Sequence, residues 1–260
     1  CFHGLRGEFA FILWDGNNDR LLGGCDALAK RQLAYFTSRS CAAFATRDVD
    51  LLEHPAAPKK WNHTYLADWF VGFASQSQEA TAFDGIARCP PGCVVTWHRG
   101  IAIVERFDSI RATGQPVANV KDAFAEFLRL LRESVGRYPS DSALSLSGGL
   151  DSALIVGARS ALSQHRIDAF TYVSSWTRHG AEHFGVSKIL KCNPSMRGHD
   201  LELTSLDPWS SPDHPILDDP DSGAVAMLPA RRALLEFAAA NGTTCILDGE
   251  GGDEIFELCT

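Results

Sequence analysis

The spacing of apolar residues changes near the middle of this chain, and the change divides it. In the first hundred residues the apolar runs are short and separated by turn residues. Phe9-Ala-Phe-Ile-Leu-Trp14 stops at Asp15-Gly16-Asn17-Asn18, and Arg20-Leu-Leu-Gly23 then returns, which predicts a hairpin. Tyr35-Phe36 and residues 42–45 predict two more short strands, and residues 65–73 a helix. Val94-Val-Thr-Trp97 and Ile101-Ala-Ile-Val104 flank His98-Arg99-Gly100 as a second hairpin. Across residues 106–119, Asp108, the stretch 111–114 and Pro116 interrupt any period, which predicts a linker.

From Val120 the period lengthens. Val120, Phe124, Phe127, Leu128, Leu131 and Val135 recur at helical spacing behind a capping Asn119. A strand is expected over 142–146. A helix follows over 151–162, with Leu154, Ile155, Ala158 and Leu162 inward, and then a strand over 169–173. The last two expected elements are a helix over 229–240, with Pro229 in its first turn, and a strand over 243–247. Strand–helix alternation of this kind predicts a parallel sheet covered on both faces. The expected organisation is a β-rich part over 1–105, a linker over 106–119 and an α/β part over 120–260.

Composition narrows the partners. The 260 residues suffice for two modest domains. A net charge of -8 and the lack of any dense Lys/Arg run argue against a general nucleic-acid binder. No apolar stretch reaches the roughly 20 residues that span a bilayer, and no secretion-type segment opens the sequence. Neither nucleic acid nor membrane is therefore an expected partner, and a cytoplasmic location with reduced thiols is the expectation for the eight scattered cysteines. Cys89 and Cys93 bracket Pro90-Pro91-Gly92, which reads as a tight turn with two small buried side chains. A zinc site would want a second pair or histidines at ligand spacing. His179 and His183 sit at i, i+4, but no third ligand is near in sequence, so a solvated helix face is the preferred reading. Trp61, Trp69 and Trp97 read as core or interface aromatics.

Two segments carry the candidate chemistry. Ser147-Gly148-Gly149-Leu150-Asp151-Ser152 lies between an expected strand and an expected helix. Glycines there let backbone N–H groups converge on an anion, and the helix start adds its positive end. Ser147 and Ser152 supply hydroxyls. Asp151, a poor phosphate ligand, makes sense beside a phosphate cradle as a magnesium ligand. The familiar P-loop would have a Lys-Ser/Thr pair where this loop has Leu150-Asp151, which points to a loop that holds pyrophosphate during attack at the α-phosphorus. The alternative is a glycine-rich turn that merely opens a helix. Gly249-Glu250-Gly251-Gly252-Asp253-Glu254 follows the last expected strand, at the carboxyl end where open α/β sheets bind ligands. Asp253 would join Asp151 on magnesium, and Glu250 would orient an acyl acceptor or a proton in transfer; an acidic surface turn is the alternative.

This pair of segments, about a hundred residues apart, resembles the synthetase domain of asparagine synthetases and of their relatives, the β-lactam synthetases and lasso-peptide cyclases. The likeness extends upstream. Leu5-Arg-Gly-Glu-Phe-Ala-Phe-Ile-Leu-Trp-Asp15 is similar to the "L-x-G-x-F-A-F-x-x-x-D" strand of the family's glutaminase domain, and Phe83-Asp-Gly-Ile86 with Pro90-Pro-Gly92 to the segment that closes that domain. The resemblance implies the β-rich C-terminal part of an N-terminal-nucleophile glutaminase-like domain, followed by a parallel-sheet ATP-pyrophosphatase domain of the adenine nucleotide α-hydrolase-like kind. It implies that residues 147–152 bind the ATP phosphates, with Asp151 and Asp253 on magnesium. It assigns Leu146, Tyr172, Val173, Asp248 and Gly249 to the adenosine and Glu250 to adenylate formation.

Three departures qualify what carries over. The family's nucleophilic cysteine precedes Gly-Ile, whereas Cys1 precedes Phe2-His3-Gly4 and lies deep in the domain's register, so it is not assigned that role. The family's "Arg-Asp-x-x-Gly-x-x-Pro-Leu-Tyr" segment stands here as residues 25–35 without its Arg, Gly and Pro. The sequence ends six residues after Glu254, where the family continues. Truncation at both ends, or a degenerate relative, is the expectation, with no glutamine hydrolysis by these residues alone. The expected function is an ATP-dependent amide-forming ligase that adenylates a carboxylate, aspartate by default, and passes it to ammonia or an amine. Lasso-peptide or β-lactam-type ring closure is the alternative within the class, and an inactive nucleotide-binding scaffold the alternative outside it. A homodimer is left open.

Overall fold

The computed structural model describes residues 2–72, 77, 79–110, 119–162, 166–174, 181–202 and 228–252. They fall into two compact units, the first within Cys1–Thr113 and the second within Gly114–Ser211 and Ala224–Thr260.

The first unit is built of hairpins. Strands β1 (Ala10–Asp15) and β2 (Arg20–Cys25) pair antiparallel, with Asp15 opposite Arg20 across the turn. The Asp15 carboxylate accepts from the backbone and side-chain amides of Asn18 at 3.3 and 2.7 Å, which closes that turn and holds the carboxyl below its ordinary pKa. The chain continues through β3 (Ala34–Thr37), β4 (Ala42–Ala45), α1 (Asp48–Leu51), β5 (Lys60–Trp61), α2 (His63–Gly72), β6 (Phe83–Asp84), β7 (Ala87–Arg88), β8 (Cys93–His98) and β9 (Ile101–Arg106). The expected hairpins, the β3 and β4 strands and the helix are present, although residue 73 lies outside the described residues. Strand β9 runs through Arg106, into the expected linker, and residues 111–118 of that linker lie outside the described residues.

Three sheets result, in the orders β1-β2-β8-β9, β4-β3-β7 and β5-β6. One core gathers Phe36, Leu51, Tyr65, Phe83 and Ile86, and another Cys25, Leu33, Cys89, Cys93 and Val95. The turn expected at 89–93 is there. Cys93 N–H donates to Pro90 O at 3.0 Å, and both thiols are buried. Gly92 makes it possible, because its φ is +66° and a Cβ would stand 2.1 Å from the Asp108 carbonyl oxygen. Cys25 joins the pair unannounced, its Sγ donating to the carbonyls of Cys89 and Pro90 at 3.5 and 3.4 Å. Trp97 Nε1 donates to Ser38 O at 3.1 Å and Trp61 stacks on Phe83, so both tryptophans serve packing.

The second unit alternates helix and strand: α3 (Val120–Gly136), β10 (Ala143–Ser145), α4 (Leu150–Ser160), β11 (Ile167–Val173), α5 (Ala181–Cys192), β12 (Met196–Glu202), α6 (Leu228–Ala240) and β13 (Ile246–Leu247). Asn119 caps α3 by accepting from Asp122 N–H at 2.9 Å. The four strands are parallel in the order β12-β11-β10-β13. From β10 the chain steps outward to β11 and β12, then returns through α6 to pair β13 on the other flank of β10. Val156 of α4 and Val186 of α5 pack with Leu144, Leu146, Ile167 and Ala169. Leu234 and Ala238 of α6 pack with Ala143 and Phe170, whose side chains leave the sheet on the opposite face. Both faces are therefore covered, as alternation implied. The reversal of strand order about β10 creates a crevice at the carboxyl ends of the strands.

Some sequence expectations are corrected. The buried line of α4 runs through Ser152, Val156 and Arg159, with Ala158, while Leu162 is exposed and Leu154 and Ile155 are half-buried. The helix packs on both the sheet and α3, so two neighbours set its buried arc instead of one. On α3, Val120 and Phe124 are exposed and burial begins only toward its second half, deepest at Val135. Strand β12 and helix α5 had no apolar signature, and the strand expected over 243–247 shrinks to Ile246–Leu247. No described helix is long and apolar enough to cross a membrane.

Candidate functional site

The first glycine-rich segment forms the junction between β10 and α4. Leu146 is buried at the strand's end, and the chain then turns through Gly148, whose φ of +83° is left-handed and suits glycine. Gly149 is the N-cap of α4 and offers no side-chain cap, so the free N–H groups at the start of this 11-residue helix are not claimed by a capping side chain. The two hydroxyls bind the loop to itself. Ser147 Oγ and Ser152 Oγ lie 3.1 Å apart, Ser152 Oγ donates to Gly149 O at 3.2 Å, and Gly149 N–H donates to Ser147 Oγ at 3.3 Å. Leu150 begins the helix with its side chain 76% exposed, so only its backbone contributes to the cradle. Asp151 follows, half-buried.

The second segment leaves β13 and comes directly onto the first. A Cβ on Gly249 would stand 2.9 Å from Ser152 N and 3.0 Å from Asp151 Cβ, and one on Gly252 would stand 2.4 Å from Asp151 Cγ. Two pieces of sequence about a hundred residues apart are thus in contact, with no room between them for a methyl group. Asp248 accepts from Glu250 N–H at 3.3 Å. Arg231, in the first turn of α6, donates from Nη2 to Glu250 Oε2 at 2.6 Å and stands 3.9 Å from Asp248 Oδ2. The sequence reading missed this arginine, because a basic residue near a helix start carries no signal of its own. Asp253 lies outside the described residues.

Beside the loop, a cavity of about 140 Å³ is lined by Ser145, Leu146, Ser147, Thr171, Tyr172, Val173, His183 and Val186. Of the residues the resemblance assigns to adenosine, Leu146, Tyr172 and Val173 line this cavity. Asp248 and Gly249 do not; they sit with the second segment. Burial pushes the Tyr172 hydroxyl above its ordinary pKa, against the opposing pull of Arg231. Helix α5 closes the cavity. Its Gly185 lies so near the loop that a Cβ would stand 2.5 Å from Gly148 O. His183, read from sequence as part of a solvated face, is instead half-buried, because α5 lays the face bearing His183 and Val186 over the strand ends. His183 Nδ1 is shut off from solvent without a hydrogen-bond partner among the described residues. His179 lies outside the described residues.

Among the described residues no three His, Cys, Asp or Glu side chains group as a metal cage. Magnesium that arrives with nucleotide phosphates does not need one, since it keeps most of its waters and takes one or two carboxylates. Asp151 fits that demand. It stands beside the phosphate-type cradle, and the bare Cα of Gly252 leaves its carboxylate the space it occupies.

The fold and the site together define a mixed α/β protein with two acidic glycine-rich segments meeting at the carboxyl edge of a parallel sheet. The family profile described as "Asparagine synthase" matches residues 126–257, and one described as "Glutamine amidotransferase domain" matches residues 1–108. The chain belongs to the asparagine synthase family. Among curated proteins, "Amidase chry2" of Gibberella zeae is 25% identical over 97% of this chain and 40% of its own length. "Asparagine synthetase [glutamine-hydrolyzing] 3" of Bacillus subtilis is 27% identical over 60% of this chain and 26% of its own. A putative asparagine synthetase of Mycobacterium bovis is 26% identical over 97% of this chain and 39% of its own. The chain thus spans 40% or less of these relatives' lengths. A solved glutamine-dependent NAD+ synthetase from Acinetobacter baumannii, in complex with ADP, overlaps 96% of this chain and 52% of its own. It is 13% identical, with a TM-score of 0.39, too loose an overlap to carry argument.

Proposed function

We propose that the second unit adenylates a carboxylate at the expense of ATP, as the activating half of an amide-forming ligase. One observation carries the proposal: Gly249 and Gly252 pack directly against Asp151 and Ser152, which joins the two segments into one site at the carboxyl edge of the sheet. Family membership supports it. The loop from Ser147 to Ser152 holds the phosphates with backbone N–H groups, the α4 terminus and two hydroxyls. Asp151 would hold a magnesium ion, with Asp253 as its expected second carboxylate, and the ion would supply charge neutralisation on the leaving pyrophosphate. Leu146, Tyr172 and Val173 take the nucleoside, with Asp248 and Gly249 on its other side.

A substrate carboxylate attacks the α-phosphorus, pyrophosphate leaves, and ammonia or an amine then displaces AMP. The loop contributes by positioning and by donors set before reaction. Glu250, held by Arg231, orients the incoming groups. Aspartate is the first substrate to test. The matches to proteins named amidases, together with the Arg, Gly and Pro missing from residues 25–35, favour a second reading in which the carboxylate belongs to a peptide or another acyl group. Cys25, Cys89 and Cys93 are core-packing groups in this proposal and not glutaminase nucleophiles, since all three are buried.

The test is carboxylate-dependent exchange of pyrophosphate into ATP by the full-length protein, screened over aspartate and peptide acids. Asp151→Ala should abolish it. Undiminished exchange in that variant, or MgATP binding with no exchange for any carboxylate, removes the proposal; the second result leaves an inactive nucleotide-binding scaffold.

A further inference from the structure

The cavity beside the loop holds one polar atom that nothing in the fold explains. Its walls are otherwise satisfied or apolar: Leu146, Val173 and Val186 are almost fully buried aliphatic side chains, and Ser147 is engaged by Ser152. His183 is the exception. Its Nδ1 is closed off from solvent yet has no hydrogen-bond partner among the described residues. A buried polar group left unpaired costs on the order of 1–3 kcal/mol, and such a group at a cavity wall is explained when a ligand completes it.

The histidine is also held in place. His183 and Val186 are three residues apart on α5, hence on one face, and both line the cavity. Gly185 between them brings α5 onto the loop carbonyl of Gly148, a contact that any side chain would forbid. The imidazole therefore has a fixed station over the carboxyl ends of β10 and β11. Its polar edge faces a space too apolar for a phosphate and of a size for a planar ring.

We infer that His183 reads the nucleoside of the bound nucleotide, with Nδ1 hydrogen-bonded to the base or ribose, and so sets nucleotide specificity at this site. The inference rests on the nucleotide-binding reading above and adds to it a residue that takes no part in holding phosphate. It also separates two ligand fragments. The loop and Asp151 serve the phosphates, and His183 serves only what lies beyond them.

Calorimetry on the full-length protein tests this with two probes, MgATP and magnesium pyrophosphate. His183→Phe keeps the ring's bulk and removes both nitrogens. It should bind MgATP about tenfold more weakly and bind pyrophosphate as the parent does. His183→Asn, whose amide reaches about as far as Nδ1, should recover most of the loss. Equal MgATP affinity in His183→Phe overturns the inference. So does a parallel loss for both probes, which would mean that the ring only props the loop. A parent protein that binds pyrophosphate but not MgATP overturns it as well. A parent that binds neither removes the nucleotide-site reading itself, a failure distinct from that of His183.

Discussion

The two units solve the same problem, covering sheet faces with side chains, in ways that differ in what they bring together. In the first, neighbours in space are mostly neighbours in sequence: β1 pairs β2, β3 pairs β4 and β8 pairs β9, each across a short turn. Its polar residues mostly close turns, as Asp15 does with Asn18 and Gly92 does by yielding to Asp108. In the second, parallel pairing forces long returns, and those returns lay residues 248–252 on residues 147–152. Hairpins make a scaffold from local chemistry, whereas parallel crossovers assemble a site from distant pieces. Glycine serves both, as a turn former in one and as a spacer between functional segments in the other.

That contrast can be broken at defined points. The largest effect should follow Gly252→Ala, whose methyl group must displace the Asp151 carboxylate. Pyrophosphate exchange should fall about a hundredfold, the scale of a misplacement near 1 Å, while the melting temperature hardly moves. If stability collapses while activity per folded molecule stays normal, the spacer reading is wrong. Gly92→Ala is the counterpart in the first unit. A Cβ against the Asp108 carbonyl at a left-handed φ should cost about 2–3 kcal/mol in denaturant unfolding, with MgATP affinity unchanged; a matching loss of affinity would erase the distinction between the units. Asn119→Ala removes the α3 cap and should cost about 1 kcal/mol, seen as a modest drop in the melting midpoint.

The smallest effect concerns Asp48, buried under α1 with Oδ2 unpaired and Arg88 3.9 Å away. Burial raises its pKa above the ordinary value, more than Arg88 lowers it. The folded state therefore holds this proton more tightly than the unfolded chain. Its full contribution is present below the unfolded pKa and declines as pH rises through the folded one. Asp48→Asn should be slightly stabilising at neutral pH, with the gain vanishing in acid. Unfolding midpoints of the two proteins, compared from mildly acidic to neutral pH, check the sign.

How much was legible in the sequence follows the same division. The hairpins at 9–23 and 94–104 announce themselves, because alternation and turn residues act over a few positions. The loop at 147–152 is legible for a related reason, since glycines between a strand and a helix have few other uses. Strand β12 is not, because Met196-Arg-Gly-His-Asp-Leu-Glu202 buries fully only its first residue and pairs through backbone. Helix α5 hides as well. Gly185 and His183 look like poor helix residues until the loop and the cavity beside them are seen. The buried arc of α4 was misjudged through Leu162, because a one-sided helix was assumed where α3 supplies a second side. Arg231 and its grip on Glu250 left no trace in the pattern, since the contact spans 19 residues and two elements.

The seating of Asp151 against Gly252 also has a consequence in time. A chain made from its amino terminus exposes the 147–152 loop early, but the segment that completes it emerges only about a hundred residues later. Contacts of such sequence separation are late events in folding, because a long loop must close before they form. The carboxylate that would hold the metal therefore waits, on a half-built sheet, for nearly the last residues described here. A nascent chain would acquire its hairpins first and its capacity to bind nucleotide last.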